Sequence, residues 1–237
     1  NFVGTGNALQ NILRGGSGND TLDGGAGFGD ELIGGLGDDT YYIRDINTHA
    51  TESLGQGTDV VYATFSGYTL DSQVENLVLA GSGFRGTGNT LNNTIVGTAG
   101  ADTIDGAGGM DTLIGGAGND AYYVDNVGDI VSEVSSSDGI DIVYSSVDYQ
   151  LGANLENLTL QGSAISGLGN ALSNAITGTS GDNILTGFAG DDTLNGGSGF
   201  DIASYADASA GVSVSLATAG AQYISATEGA DSLLSIE

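Results

Sequence analysis

From Gly97 to Tyr123 the sequence states one nine-residue phrase three times: GTAGADTID, GAGGMDTLI, GGAGNDAYY. Each phrase opens on Gly and small residues, sets Asp at its sixth position and places an apolar or aromatic residue at its eighth. The sixth-position residues are Asp102, Asp111 and Asp120; the eighth are Ile104, Leu113 and Tyr122. Few folds are open to such a chain. Gly reaches positive φ, and Asn and Asp bond to nearby backbone, so the first six residues turn. The next three form a short strand with one side chain facing inward. Two turns and two strands close one coil in about eighteen residues, and turns two phrases apart stack on one edge. Stacked turns bring carboxylates and carbonyls to a shared gap, an all-oxygen cage suited to calcium.

The phrase recurs in three blocks of four. Block one, about 6–42, has phrases starting at Gly6, Gly15, Gly24 and Gly34; block two, about 88–123, at Gly88, Gly97, Gly106 and Gly115; block three, about 169–204, at Gly169, Gly178, Gly187 and Gly196. The third phrase of block one, GGAGFGDELI, carries one extra residue, which predicts a bulged loop. The first phrase of each block puts Asn at position six: Asn11, Asn93 and Asn174. Asn183 does so again in block three. An Asn is either a weaker, neutral ligand or a way to continue the turn without metal.

Between the blocks lie two Gly-poorer segments, about 43–86 and 124–167. DVVYATFSGYTL from Asp59 parallels DIVYSSVDYQL from Asp141, and VENLVLAGS from Val74 parallels LENLTLQGS from Leu155. Alternating β-branched, Tyr and polar residues predict strands. Leu77, Ile95 and Leu113 keep the coil spacing, so these segments are expected to continue the solenoid; a small β-sandwich is the alternative. No segment has helical periodicity. The predicted fold is all-β, a parallel β-roll or β-solenoid in three superrepeats of about 81 residues: 1–80, 81–161 and 162–237. Joining Glu237 to Asn1 would recreate an ENF junction like the ENL phrases. That suggests a tandem array or end-to-end self-association in a filament, with a fragment as the bland alternative.

Thirty acidic residues stand against three Arg (Arg14, Arg44, Arg85), giving a net charge of −27. That balance argues against nucleic acid and anionic membranes as partners. No stretch is apolar enough to predict a membrane span. Without Cys there are no disulfides or thiolate metal sites, and His49, the single His, cannot build a triad or zinc cluster. GSGFRG at 81–86 fits a dinucleotide-loop pattern but has no βαβ context. Nothing points to catalysis, and the chain is expected not to be an enzyme. Tyr41, Tyr42, Tyr122 and Tyr123 are expected in the core or in side-chain ladders.

GGSGNDTLD from Gly15, GGAGNDAYY from Gly115 and FAGDDTLNGGSGFD from Phe188 closely resemble the calcium-binding repeats of RTX (repeats-in-toxin, haemolysin-type) proteins. The resemblance covers about half of the chain. It implies a β-roll with several calcium ions between turns, in a bacterial protein exported unfolded by type I secretion and acting outside the cell. It makes Asp20, Asp30, Asp39, Asp102, Asp111, Asp120, Asp192 and Asp201 the position-six ligands, with Asn11, Asn93, Asn174 and Asn183 as degenerate ones. It adds backbone carbonyls from loop glycines: Gly15, Gly18, Gly34, Gly37, Gly97, Gly100, Gly115, Gly118, Gly187, Gly190, Gly196 and Gly199. Thr98 and Thr179, at position two, depart from the pattern. Two uses remain open: a structural module of an adhesin, matrix, surface-layer or filament protein, or the secretion and folding module of an exported enzyme or toxin.

Overall fold

The computed structural model describes residues 1–135, 139–218 and 220–237. Among these the chain is all-β and without helix, a parallel β-solenoid. It divides into two compact units, Asn1–Asp120 with Gly128–Ile130, and Ala121–Val127 with Val131–Glu237.

In the first unit one wall stacks β1 (Val3–Thr5), β3 (Thr21–Asp23), β5 (Thr40–Ile43), β7 (Val60–Ala63), β9 (Asn76–Leu79), β11 (Thr94–Val96) and β13 (Thr112–Ile114), all parallel. The opposite strands are β2 (Ile12–Ser17), β4 (Glu31–Leu36) and β6 (His49–Thr51), followed by β8 (Tyr68–Thr69), β10 (Arg85–Thr87) and β12 (Thr103–Asp105). The reason lies in the phrase itself. A three-residue strand such as Thr21-Leu22-Asp23 has room for one inward side chain, and it is the eighth-position residue that is buried. Gly4, Leu22, Tyr41, Val61, Leu77, Ile95 and Leu113 lie opposite one another down the wall. All but Gly4 are completely buried. Each contributes about 1.5–3 kcal/mol by leaving water, and no single coil buries enough to stand alone.

The Gly-poorer segment between blocks one and two continues the coils, as β7 and β9 in this wall show. The extra residue of the third phrase is absorbed in the loop before Asp30, where Gly29 has φ +76°. The strands on either side keep register from Ile12 opposite Glu31 to Ser17 opposite Leu36.

The second unit repeats the plan. Its first wall is β14 (Ala121–Val124), β16 (Ile142–Ser145), β18 (Asn157–Leu160), β20 (Ala175–Thr177) and β22 (Thr193–Asn195). Tyr122, Val143, Leu158, Ile176 and Leu194 are stacked and completely buried. Opposite run β17 (Tyr149–Gln150), β19 (Ser166–Leu168), β21 (Ile184–Thr186) and β23 (Ile202–Ala203). β15 (Ile130–Ser132) lies between β14 and β16 in sequence. After β23 the periodicity lapses. β25 (Gly229–Leu234) pairs parallel with β22, and β24 (Gln222–Ser225) pairs antiparallel with β25.

Tyrosines fill both roles expected of them. Tyr41 and Tyr122 are core residues. Tyr42 stacks on Tyr62, and Tyr123 on Tyr144, each pair with ring centres 5.2 Å apart. His49 is on β6, exposed, with Nδ1 2.9 Å from Asp71 Oδ1.

Small residues in the wall are as constrained as large ones. A Cβ on Gly86 would lie 2.7 Å from Leu79 Cδ2 and 2.9 Å from Leu77 Cδ2, whereas one on Gly108 would meet nothing within 4 Å. Gly86→Val is expected to cost about 1–3 kcal/mol by overpacking. Gly108→Ala should stay within about 0.5 kcal/mol of wild type. Urea unfolding of both in excess calcium checks this.

Candidate metal centres

The position-six Asp residues stand at the mouth of each strand, one residue before it begins. Asp20, Asp30, Asp39, Asp102, Asp111, Asp120, Asp192 and Asp201 are all at most 2% exposed. One oxygen of each carboxylate is used in a ladder along the coils. Asp20 N–H donates to Asp39 Oδ1 at 2.7 Å, and Asp39 N–H to Asp59 Oδ1 at 2.7 Å. Asp59 N–H donates to Glu75 Oε2 at 2.9 Å. In the same way Asn93 N–H donates to Asp111, Asn174 N–H to Asp192 and Asn183 N–H to Asp201. Carboxylate spacing is thereby fixed by the strand register.

The second oxygen is another matter. Oδ2 of Asp20, Asp39, Asp192 and Asp201 is buried and has no hydrogen-bond partner. The first Gly of each phrase shows what lies beside it. A side chain at Gly15 would collide with Asp20 Oδ2 and the Gly34 carbonyl; one at Gly97 would collide with Asp102 Oδ2 and the Gly115 carbonyl. Acceptors from two coils therefore converge on a space that only a missing Cβ leaves open. The second-position Gly16, Gly35, Gly116 and Gly197 have φ of +95° to +110°. Gly18, Gly37, Gly118, Gly190 and Gly199 are likewise at positive φ, so these turns need glycine. A buried acceptor without a donor costs roughly 1–3 kcal/mol, more when charged. Carboxylate and carbonyl oxygens facing one another fit a hard cation such as calcium.

A model of the RTX calcium-binding nonapeptide repeat, four copies long, matches at residues 5–41, 87–122 and 168–203. The three blocks are RTX calcium-binding nonapeptide repeats. Part of the chain is also similar to two glycanases of Rhizobium meliloti (strain 1021). It is 40% identical over 88 residues to endo-1,3-1,4-beta-glycanase ExsH, an alignment covering 37% of this chain and 19% of that protein. It is 34% identical over 86 residues to endo-1,3-1,4-beta-glycanase EglC, covering 36% and 18%. The chain thus spans about a fifth of each of these relatives.

The degenerate RTX phrases are resolved by their hydrogen bonds. Asn93 Nδ2 donates to the carbonyls of Val74 and Glu75, Asn174 Nδ2 to Leu155 and Glu156, and Asn183 Nδ2 to Ala164 and Ile165. Their Oδ1 atoms accept N–H groups of their own loops. An amide NH2 thus reaches carbonyls one coil back where an Asp has no proton to offer. Asn11, half-buried, accepts from Asn7 N–H. Thr98 departs for a related reason: its N–H donates to Asp102 Oδ2 at 2.7 Å while its hydroxyl donates to the Gly81 carbonyl at 2.8 Å, and Thr179 N–H likewise donates to Asn183 Oδ1. Gly100, with no positive φ, belongs to this altered turn.

Several ladder members were not among the residues singled out from the sequence, including Asp59, Glu75, Asp129, Glu156, Asp231 and Glu237. Asp192 N–H donates to Asp231 Oδ1 and Asp201 N–H to Glu237 Oε2. For Asp59 a signal existed, since it immediately precedes a β-branched run just as Asp39 precedes β5. Asp231 follows a loop with no repeat to count from.

Burial pushes Asp192 up to about 7, with nearby carboxylates adding to it and the Asn174 N–H opposing it. Burial likewise pushes Asp59 up to about 7, against the Asp39 N–H. An Asp raised from 3.8 adds stability in full below pH 3.8 and loses it as pH rises through 7. The calcium-stripped chain should therefore lose stability between about pH 4 and pH 7, and calcium should flatten the profile. Urea midpoints across pH, with and without calcium, check this. Asp192→Asn should copy Asn174: fewer bound ions, but about 1–3 kcal/mol more metal-free stability by thermal melt.

Proposed function

We propose that this chain is a calcium-folded structural repeat of a secreted bacterial extracellular or cell-surface protein. The observation that carries this is the set of buried carboxylate oxygens without donors in both units, each beside the first Gly of its phrase, with the Gly34 carbonyl of the next coil converging on Asp20 Oδ2. Asp20, Asp30, Asp39, Asp102, Asp111, Asp120, Asp192 and Asp201 hold the ions together with loop carbonyls. In the absence of calcium those oxygens repel, and three-residue strands bury too little to offset chain entropy. Each ion bound to the folded state alone adds about 2.7 kcal/mol at a hundredfold excess over Kd. Affinities on the order of 10⁻⁴ to 10⁻³ M would leave the chain unfolded inside a cell and folded outside.

The role is rigid spacing or adhesion, and end-to-end association of copies belongs to it. A second reading is favoured by the two glycanase relatives: the same calcium-folded unit as the folding and export module of an enzyme whose catalytic part is elsewhere. On either reading this chain itself catalyses nothing. Incubated with mixed-linkage β-glucan in calcium, it should release no reducing sugar.

Chelator should abolish the β circular-dichroism signal of the chain, and millimolar calcium should restore it in a steep transition. A full β signal at neutral pH in excess chelator would refute calcium-driven folding. Sedimentation in calcium tests self-association, with a strictly monomeric chain at high concentration counting against the filament role.

A further inference from the structure

We propose that Asp39, Glu52 and Asp59 hold a calcium ion in a site built from side-chain carboxylates, at the point where block one passes into the Gly-poorer segment. The proposal rests on the reading that this chain folds around calcium, and it adds a site that the nonapeptide pattern does not contain. Only Asp39 occupies a repeat position; Glu52 follows β6 and Asp59 precedes β7.

The three side chains arrive from three separate stretches, and one carboxylate oxygen of each lies within 4.8 Å of the others. Asp39 is 1% exposed; its Oδ1 accepts the Asp20 N–H, and its Oδ2 is buried without a partner. Asp59 is equally buried, and its Oδ1 accepts the Asp39 N–H. Glu52 uses Oε1 to accept the Tyr41 hydroxyl and the Gly35 N–H, leaving Oε2 buried and without a partner. The void they share is marked by Gly34. A side chain there would collide with Asp39 Oδ2, the Tyr41 hydroxyl and Glu52 Oε1 together.

Two buried acceptor oxygens from different residues thus lack any donor, and the one hydroxyl nearby has already given its proton to Glu52. No ion pair among the described residues reaches the cluster, and Arg44 is committed to Asp23. Three carboxylates and no nitrogen or sulfur donor select a hard cation. A flexible, all-oxygen set made of side chains from different strands suits calcium better than magnesium, which demands near-octahedral order and keeps its waters.

The arrangement is written twice in the sequence. Asp39, Tyr41, Glu52 and Asp59 have counterparts in Asp120, Tyr122, Glu133 and Asp141, one superrepeat later. Within the second unit the Tyr122 hydroxyl donates to Glu133, as Tyr41 does to Glu52. Asp141 N–H donates to Glu156, as Asp59 N–H does to Glu75.

The test is a count of bound calcium on the full chain by equilibrium dialysis, for wild type, Glu52→Gln and Asp59→Asn. Both substitutions keep an oxygen that can accept from Tyr41 or from Asp39 N–H, while they remove the charge and replace the second carboxylate oxygen, the one offered to an ion, by an NH2. Each variant is expected to fold in calcium and to bind one ion fewer than wild type. A wild type that folds and binds several ions, with variants of undiminished count, overturns this site and leaves calcium-driven folding standing. A wild type that binds none overturns both. Should the variants fail to fold, crystals of the wild-type chain grown with terbium decide the matter. An anomalous peak at about 2.3–2.6 Å from oxygens of all three carboxylates is expected; peaks at the glycine loops with none there overturn the site.

Discussion

The molecule is organised by an electrostatic conflict that it cannot resolve with its own atoms. Carboxylate Oδ2 atoms and glycine carbonyls are brought face to face in a buried gap, with no proton between them. Most folds avoid such contacts, because an unpaired buried acceptor forfeits its bonds to water. Unpartnered Oδ2 atoms recur in both units, at Asp20, Asp39, Asp192 and Asp201, and the glycine beside each recurs with it. Replacing that glycine would fill the cage, and replacing the Asp would remove the charge. The two residue types are therefore two halves of one requirement, which is why the phrase repeats both together.

The conflict has a second solution in the same chain. At Asn93, Asn174 and Asn183 an amide NH2 donates to carbonyls one coil back, so the turn carries a donor of its own. Thr98 N–H donates to Asp102 from within its own loop. Turns with unpartnered carboxylates and turns that carry their own donors thus occur in the same chain. The opening phrases of blocks two and three use Asn at the sixth position, so the acidic turns there follow a turn whose amide donates to backbone carbonyls. Fewer charges are then stacked without relief when metal is scarce.

Much of this was legible in the residues. The period predicted strand, turn, coil length and the inward residue, and the stacked column from Leu22 to Leu113 follows that count through the Gly-poorer segment. It was legible because each phrase is short enough for local chemistry to decide its conformation, and the core needs one side chain per strand. Where periodicity stopped, legibility stopped. Asp231 enters the ladder from β25, which the nonapeptide count does not reach, and its register against β22 depends on tertiary pairing alone. Glu52 was silent for the same reason, since its partners are set by the fold and its sequence neighbours resemble an ordinary surface loop. The Asn positions were ambiguous because the residue offers both an acceptor and a donor, and only the surrounding carbonyls decide which end faces the gap.

Each acidic residue of the ladder serves two structures at once, and this is what couples metal to fold. Through Oδ1 it accepts a backbone N–H of the neighbouring coil, so its position is set by strand register. Through Oδ2 it faces the cage. Shifting a coil to relieve repulsion at the cage would break the ladder bond, and an ion that fixes the cage fixes the ladder with it. Because Asp20 donates to Asp39, and Asp39 in turn to Asp59, the constraint passes from coil to coil within the first unit. On the proposed calcium-driven folding, sites joined in this manner respond to calcium more steeply than any one site could, since each filled cage places the next carboxylate before its own ion arrives.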